Sequence, residues 1–373
     1  MTGEILDLDG GFLTVWDPET PSSGEDNGHS AKEGIMPGPR SAWLQLTREP
    51  PVEPALPICD PHHHLWDRPD DRYLLDELLQ DLSSGHHIVS TVFIECQEKH
   101  RPEGPEEMKP VGETAFVQRI AEESTRRPRG NAAVIGGIVG FADLSVGSRV
   151  AKVFEAHLAV SPDRFRGIRH SCTWDASPTV KTKTPGIPRG LMGERGFREG
   201  LATLKRYPLT FDAWLYHPQL MELAALARAV PDVTMILNHV GGLLGVGPYA
   251  GKRDEIMQTW KQGIAEVATC PNVVVKLGGL GMERCGFDWH TRPAPPTSTE
   301  LVEATRPYYL YCIEQFGPER SMFESNFPVD KLSCSYGVLW NSFKRMTQDF
   351  SATERAAMFH DTAARVYRLA GSK

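Results

Sequence analysis

Three histidines stand in a row inside Asp60-Pro-His62-His63-His64-Leu-Trp66, directly after the apolar stretch Ala55-Leu-Pro-Ile58. On an extended strand successive side chains alternate faces, so His62 and His64 point one way and His63 the other. Two imidazoles on one face of one strand end are what a shared cation needs, because neutral imidazole is a common ligand of zinc and related ions. A histidine-rich loop with no ligand role is the competing reading, and His-x-His alone does not choose between them. Further polar residues follow apolar runs downstream: Glu95, Asp143, Arg169 with His170, His217, Asn238 with His239, Lys276, then Glu324, Asn326 and Asp330. Lys276 ends an otherwise apolar run, so its charge has to find an anion, a carboxylate or water.

The apolar runs are the elements that must position these groups. Candidate strands cover 56–60, 88–94, 133–139, 165–168, 209–214, 233–237, 273–277 and 322–323. Their near-continuous Val and Ile content suits strands buried on both faces of a parallel sheet. Helical patterns lie between them at 112–127, 190–206, 218–229, 252–269, 298–316 and 332–350. A last helix over 351–369 opens with Ser351 and Glu354 at capping-box spacing and is expected to close the bottom or flank of the fold. Eight strand-helix units predict an α/β protein, a (β/α)8 TIM barrel over 57–373, preceded by an irregular N-terminal extension over 1–56. A doubly wound open sheet is the runner-up, weakened by the lack of G-x-G-x-x-G after the first strand and of a Walker motif. In a barrel, chemistry gathers at the C-terminal ends of the strands, and the polar residues above fall there. Within the extension, 17–40 is rich in Pro, Gly, Ser, Glu and Asp and reads as a tail or draped arm, while 11–16 and 43–46 are apolar enough to dock on the body or a second subunit.

Composition narrows the partners. The chain has 373 residues, 40% of them hydrophobic, and a net charge of -8. With a pI near 5.9 and no long Lys/Arg block, a phosphate-backbone partner is not expected. A small-molecule substrate is. The seven cysteines, at 59, 96, 172, 270, 285, 312 and 334, form no C-x-x-C pair and read as reduced thiols. Acidic residues near the N-terminus and the lack of a bilayer-length apolar run predict a soluble, cytoplasmic protein with no membrane partner.

Taken together, Asp60-Pro-His62-His63-His64-Leu-Trp66, Leu237-Asn-His239-Val-Gly-Gly, the strand ending at Leu277, Phe323-Glu-Ser-Asn-Phe-Pro328 and Phe359-His-Asp-Thr-Ala-Ala-Arg-Val-Tyr367 resemble the amidohydrolase superfamily. More narrowly they resemble its amidohydrolase-2 branch, which includes sugar lactonases, muconolactone-type and pyrone-dicarboxylate lactonases and, more distantly, aromatic and semialdehyde decarboxylases. The resemblance covers about residues 57 to 370. It implies that His62 and His64 form the first-strand metal pair, that His217 is a third ligand, and that His239 polarises substrate or binds metal. It makes Arg169 the fourth-strand arginine that grips an anionic or carbonyl oxygen, a task suited to guanidinium. The departure is Asn326, where the superfamily typically places an aspartate. An amide is no general base at neutral pH and a weaker metal ligand than a carboxylate. Asp330 and Glu95 are the candidate replacements. A divalent ion, zinc first, is the implied cofactor, with a metal-free pocket as the alternative; a homodimer is implied by resemblance only.

The leading expectation is a hydrolase that opens a lactone or related cyclic ester of a small organic or sugar acid. Water attacks the carbonyl, His239 and Arg169 stabilise the oxyanion, and Asp330 or Glu95 takes the proton. Arg169, Lys276, Asn326 and Trp66 are the candidate substrate contacts. The alternative is a metal-dependent nonoxidative decarboxylase or hydratase acting on an aromatic or unsaturated acid. A third reading is a barrel that binds acids without turning them over.

Overall fold

The computed structural model describes residues 39–69, 71–127, 133–180, 182, 184 and 186–369. Eight parallel strands among these residues follow one another round a single sheet in chain order. They are β1 (Pro57–His63), β2 (His87–Ile94), β3 (Ala133–Gly140), β4 (Phe165–Ser171), β5 (Thr210–Trp214), β6 (Met235–Leu237), β7 (Val273–Leu277) and β8 (Ser321–Phe323). The ends of the sheet meet just beyond β8: His64 N–H donates to Phe327 O (2.7 Å) and Asn326 N–H to His62 O (2.9 Å). The result is the expected (β/α)8 barrel, nearly closed. Its strands read as apolar runs because the barrel interior covers one face and the helices the other; every residue of β7 is buried, Lys276 included.

The outer helices are α1 (Leu75–Leu82), α2 (Val111–Arg126), α3 (Ala151–Val160), α4 (Arg195–Thr203), α5 (Leu220–Ala229), α6 (Arg253–Ala268), α7 (Ser298–Phe316) and α8 (Tyr336–Met346). Helices α1 and α3 are additions to the sequence-based set. Each is short and buries only three residues, among them Leu78 and Leu79 in α1 and Val153 and Phe154 in α3, so the 3.6-residue period has little length in which to show. The final helix is broken: Ala352–Ala356 leads into a π-helical turn, Ala357–Asp361, and then Thr362–Val366. Its predicted cap is present, with Glu354 N–H donating to Ser351 Oγ (3.3 Å). At its end Val366, and beyond it Tyr367 and Leu369, join Cys59, Val92, Val139, Ile236 and Met322 in the barrel interior, beneath the strand ends that carry the polar groups.

Residues 43–53 run along the barrel's flank. Trp43 Nε1 donates to Arg292 O (2.9 Å), and Glu49 accepts from Ser298 N–H (2.7 Å) and Asn341 Nδ2 (3.0 Å). Docking of 43–46 on the body thus has a visible anchor; the segment 11–16 lies outside the described residues. Among the described residues no helix is long and apolar enough to cross a membrane.

Candidate active site

At the C-terminal end of β1 the chain does what the alternation requires. His62 and His64 share a face, their Nε2 atoms 3.3 Å apart, while His63 turns away to Thr91 Oγ1 (3.0 Å). Asp60 holds the turn that follows β8: Oδ1 accepts from Ser325 N–H (3.0 Å) and Oδ2 from Tyr336 Oη (3.0 Å). Burial pushes the Asp60 carboxyl up to about 6. His64 Nδ1 faces Ile94 O at 2.8 Å, which leaves Nε2 as its acceptor nitrogen.

Glu324 follows β8 directly and is fully buried. Its Oε1 accepts from His239 Nδ1 (2.7 Å) and from His239 N–H (3.1 Å). Its Oε2 stands 2.7 Å from His62 Nδ1, out of line for a hydrogen bond, and has no hydrogen-bond partner. Burial raises the Glu324 carboxyl to about 8. Burial, with Lys276, Arg169 and each other nearby, holds His62 and His239 well below the usual imidazole range, so both rings are neutral. The backbone makes room for this packing. A Cβ on Gly278 would lie 2.4 Å from Glu324 Cγ, and one on Gly279 2.5 Å from the His239 ring. His239 itself has φ 54°, a left-handed conformation uncommon outside glycine, in a turn held by Gly241 N–H to Asn238 O (3.0 Å).

Two cations flank His62. Arg169 Nη1 lies 3.4 Å from His62 Nε2; its Nε donates to Glu95 Oε1 (2.7 Å) and its Nη2 to Glu95 O, so Glu95 fixes the guanidinium. Lys276 Nζ lies 3.2 Å from His62 Nδ1 and pairs with Asp212 Oδ1 at 2.8 Å, both side chains fully buried. Lys276 is therefore beneath the histidines, with Asp212 as the anion its charge required. Asp212 also accepts from Asn238 Nδ2 (2.9 Å) and Tyr367 Oη (2.9 Å).

Asn326 Nδ2 donates to Asp330 Oδ1 (2.8 Å), and Asp330 Oδ2 accepts from Gly281 N–H (3.0 Å). Both Asp330 oxygens are thus engaged, and burial raises its carboxyl to about 8. At φ 55° position 326 is left-handed, a conformation Asn and Asp both tolerate, but an aspartate there would press a second carboxylate onto Asp330. Trp66 lines a cleft of about 340 Å³ together with His64, Glu95, Arg169 and Trp214. Its ring stacks near His64, with the Arg68 guanidinium 4.2 Å from its centroid. His217 is outside the His62–His239–Glu324 group and lines a separate cavity of about 690 Å³ with Trp174, Asp175 and Arg189; its Nδ1 accepts from Leu244 N–H (3.3 Å).

Two site residues that sequence reasoning left without a role are Glu324 and Asp212. Glu324 carried a signal, an acid directly after a buried strand; Asp212, inside β5, carried only the need of Lys276 for a counter-ion.

Among the described residues, His62, His239 and Glu324 form one group whose ligand atoms all lie within 4.8 Å of one another. Two neutral imidazoles and a carboxylate with an orphaned buried oxygen are a donor set that fits a divalent ion such as zinc. The sequence profile of the amidohydrolase family matches residues 59–369. The chain belongs to the amidohydrolase family. Among its relatives, protein y4mH of Sinorhizobium fredii is 33% identical over 338 residues, covering 84% of this chain and 99% of its own. An L-fucono-1,5-lactonase of Burkholderia multivorans is 28% identical over 258 residues, 69% of this chain and 77% of that protein. A crystal structure of an amidohydrolase from Burkholderia multivorans with bound zinc superposes with a TM-score of 0.64 at 23% identity, over 84% of this chain and 99% of that one.

Proposed function

We propose that this amidohydrolase opens a lactone ring by water attack at the carbonyl. The observation that carries the reading is the His239–Glu324 pair, 2.7 Å apart at the barrel mouth and next to a cation-flanked His62; the lactonase relative supports it. Glu324 holds Nδ1–H of His239, so Nε2 is the nitrogen that takes a proton from the attacking water, and the carboxylate behind it steadies the imidazolium that forms. The Arg169 guanidinium, locked by Glu95, is a fixed positive group for the oxyanion. Asp330 holds the Asn326 amide in place. His239 then passes its proton to the ring oxygen as the C–O bond breaks, which yields the hydroxy acid.

His62, His239 and Glu324 would hold a divalent ion, whose chemistry there is to polarise the carbonyl and acidify water, the work that in the bare chain falls to Arg169 and His239. The zinc bound to the Burkholderia multivorans amidohydrolase supports a divalent ion as the cofactor.

The test is a panel of aldono-, alkyl- and carboxy-lactones followed by proton release, with and without added zinc, and with carbon dioxide monitored. One acid equivalent per lactone and no carbon dioxide is expected. Carbon dioxide release from aromatic acids, with no lactone opened, would replace this reading by the lyase.

A further inference from the structure

Glu113, in the first turn of α2, is a buried carboxyl that does not line the Trp66–Arg169 cleft. Its Oε1 accepts two backbone hydrogen bonds, from Cys96 N–H (2.9 Å) and Glu98 N–H (2.8 Å), in the loop that leaves β2. Between these two residues Gln97 has φ 66°, and after them Lys99 has φ 50°, left-handed conformations uncommon for such side chains. The loop is tied again to the start of α2, where Arg101 N–H donates to Lys109 O (2.9 Å) and a Cβ on Gly112 would lie 2.6 Å from Lys99 O. Burial, with the charge of Glu95 beside it, raises the Glu113 carboxyl to about 8, so near pH 7 it is a neutral acid.

The peptide between Glu95 and Cys96 joins this carboxyl to the site. Its N–H donates to Glu113 Oε1, and its C=O, on the opposite edge of the same rigid plane, accepts from Arg169 Nη2. The Glu95 side chain accepts from Arg169 Nε at 2.7 Å. We infer that Glu113 is a positioning residue for the reaction: it fixes the Glu95–Cys96 peptide and, through it, the direction in which the Arg169 guanidinium meets the oxyanion. Its second bond fixes Glu98, whose Oε2 lies 3.8 Å from Nε of Arg68, the guanidinium placed over Trp66. One carboxyl thus holds the whole stretch 95–98 that walls the cleft. An oxyanion donor helps only if it already points at the charge when that charge forms, so a loosened peptide costs rate more than affinity. What Arg169 does rests on the lactonase reading; the hold of Glu113 on Arg169 does not.

Turnover is therefore paired with a signal from Arg169 itself. In protein carrying isotope-labelled arginine, NMR at pH 7 reads the Arg169 Nε–H, identified by its loss in Arg169→Lys. That proton is expected to be protected from exchange with water in the wild type and in Glu113→Gln, whose amide oxygen accepts the same two bonds. Glu113→Leu removes the acceptor and should bring the proton into fast exchange. On the best lactone, Glu113→Leu should lower kcat by about 10- to 100-fold with KM within about 3-fold, and Glu113→Gln should restore kcat to within about 3-fold of wild type. In an Arg169→Lys background Glu113→Leu should add less than about 3-fold, because the group it positions is gone. Glu113→Asp, one methylene shorter, keeps the test decisive if Glu113→Leu folds poorly: it should lose the protected proton and at least about 10-fold in kcat. A wild-type signal and rate in Glu113→Leu or Glu113→Asp, equal damage from Glu113→Gln and Glu113→Leu, or a full further loss in the Arg169→Lys background would overturn the inference. A lactone panel that fails while the Arg169 proton still answers to Glu113 would sink the lactonase reading and leave the positioning role standing.

Discussion

Lys276→Met removes the cation that neutralises Asp212 in the barrel interior. Both side chains are fully buried and their charged atoms are 2.8 Å apart, so the substitution leaves a carboxylate with no water and no counter-charge. Breaking a buried pair in this way costs roughly 3–5 kcal/mol. Asp212 keeps two neutral donors, Asn238 Nδ2 at 2.9 Å and Tyr367 Oη at 2.9 Å, which places the expected loss at the lower end. A loss of about 3 kcal/mol is a change of about 150-fold in the ratio of folded to unfolded chains. Urea unfolding followed by circular dichroism at pH 7 should show a lower midpoint with an unchanged slope. Lys276→Met combined with Asp212→Asn should recover most of the loss, because the partner's uncompensated charge is gone, and the double-mutant cycle should report a coupling of about 2 kcal/mol. A single-mutant loss under about 1 kcal/mol, or strict additivity in the cycle, refutes the claim that Asp212 depends on Lys276.

Three further outcomes are expected. Burial raises the Asp330 carboxyl from its ordinary 3.8 to about 8, so the folded chain keeps a proton that the unfolded chain releases. That contribution is complete below about pH 4 and is lost as pH rises towards 8, at up to about 1.4 kcal/mol per pH unit; Asp330→Asn should flatten the stability profile between pH 5 and 8, and parallel profiles would contradict the assignment. Protein stripped with a chelator should bind about one equivalent of zinc and gain about 2.7 kcal/mol of stability at a free concentration 100 times Kd; His62→Ala should abolish both, and persistence of either in that variant rules out the His62–His239–Glu324 group as the ion's site. Gly278→Ala drives a Cβ to 2.4 Å from Glu324 Cγ and 2.5 Å from Glu324 O and should cost roughly 1–3 kcal/mol by thermal denaturation, whereas a neutral result would mean that both the Glu324 side chain and its backbone are free to move aside.

The barrel was legible because β2, β3 and β7 are rich in Val and Ile, a pattern that buried parallel strands impose; the expected span 273–277 and the observed Val273–Leu277 coincide. The histidine pair was legible because alternation on a strand is a local rule. Long-range pairing was not. Nothing near residue 212 in the chain announces that Lys276 will neutralise it, and nothing near residue 239 announces the carboxylate of Glu324, 85 positions away. Asn326 read as a lost carboxylate; its bond to the Asp330 carboxyl supplies a physical reason for the amide at that position. His217 sits at the end of β5, where a ligand would be sought, yet its ring is turned to the backbone of Leu244 and to Tyr249. Strand order alone does not tell in which direction such a ring faces.

The central claim is that the His239–Glu324 pair moves the proton in lactone opening. Glu324→Gln keeps the shape and an acceptor for Nδ1–H but removes the charge that steadies the imidazolium. The deciding measurement is kcat on the best lactone of the panel for wild type and Glu324→Gln at pH 9, above the Glu324 carboxyl's value of about 8. A fall of about 100- to 10,000-fold in kcat, with KM within a few-fold and a native circular dichroism spectrum, is what the account predicts. A kcat within 3-fold of wild type would contradict it.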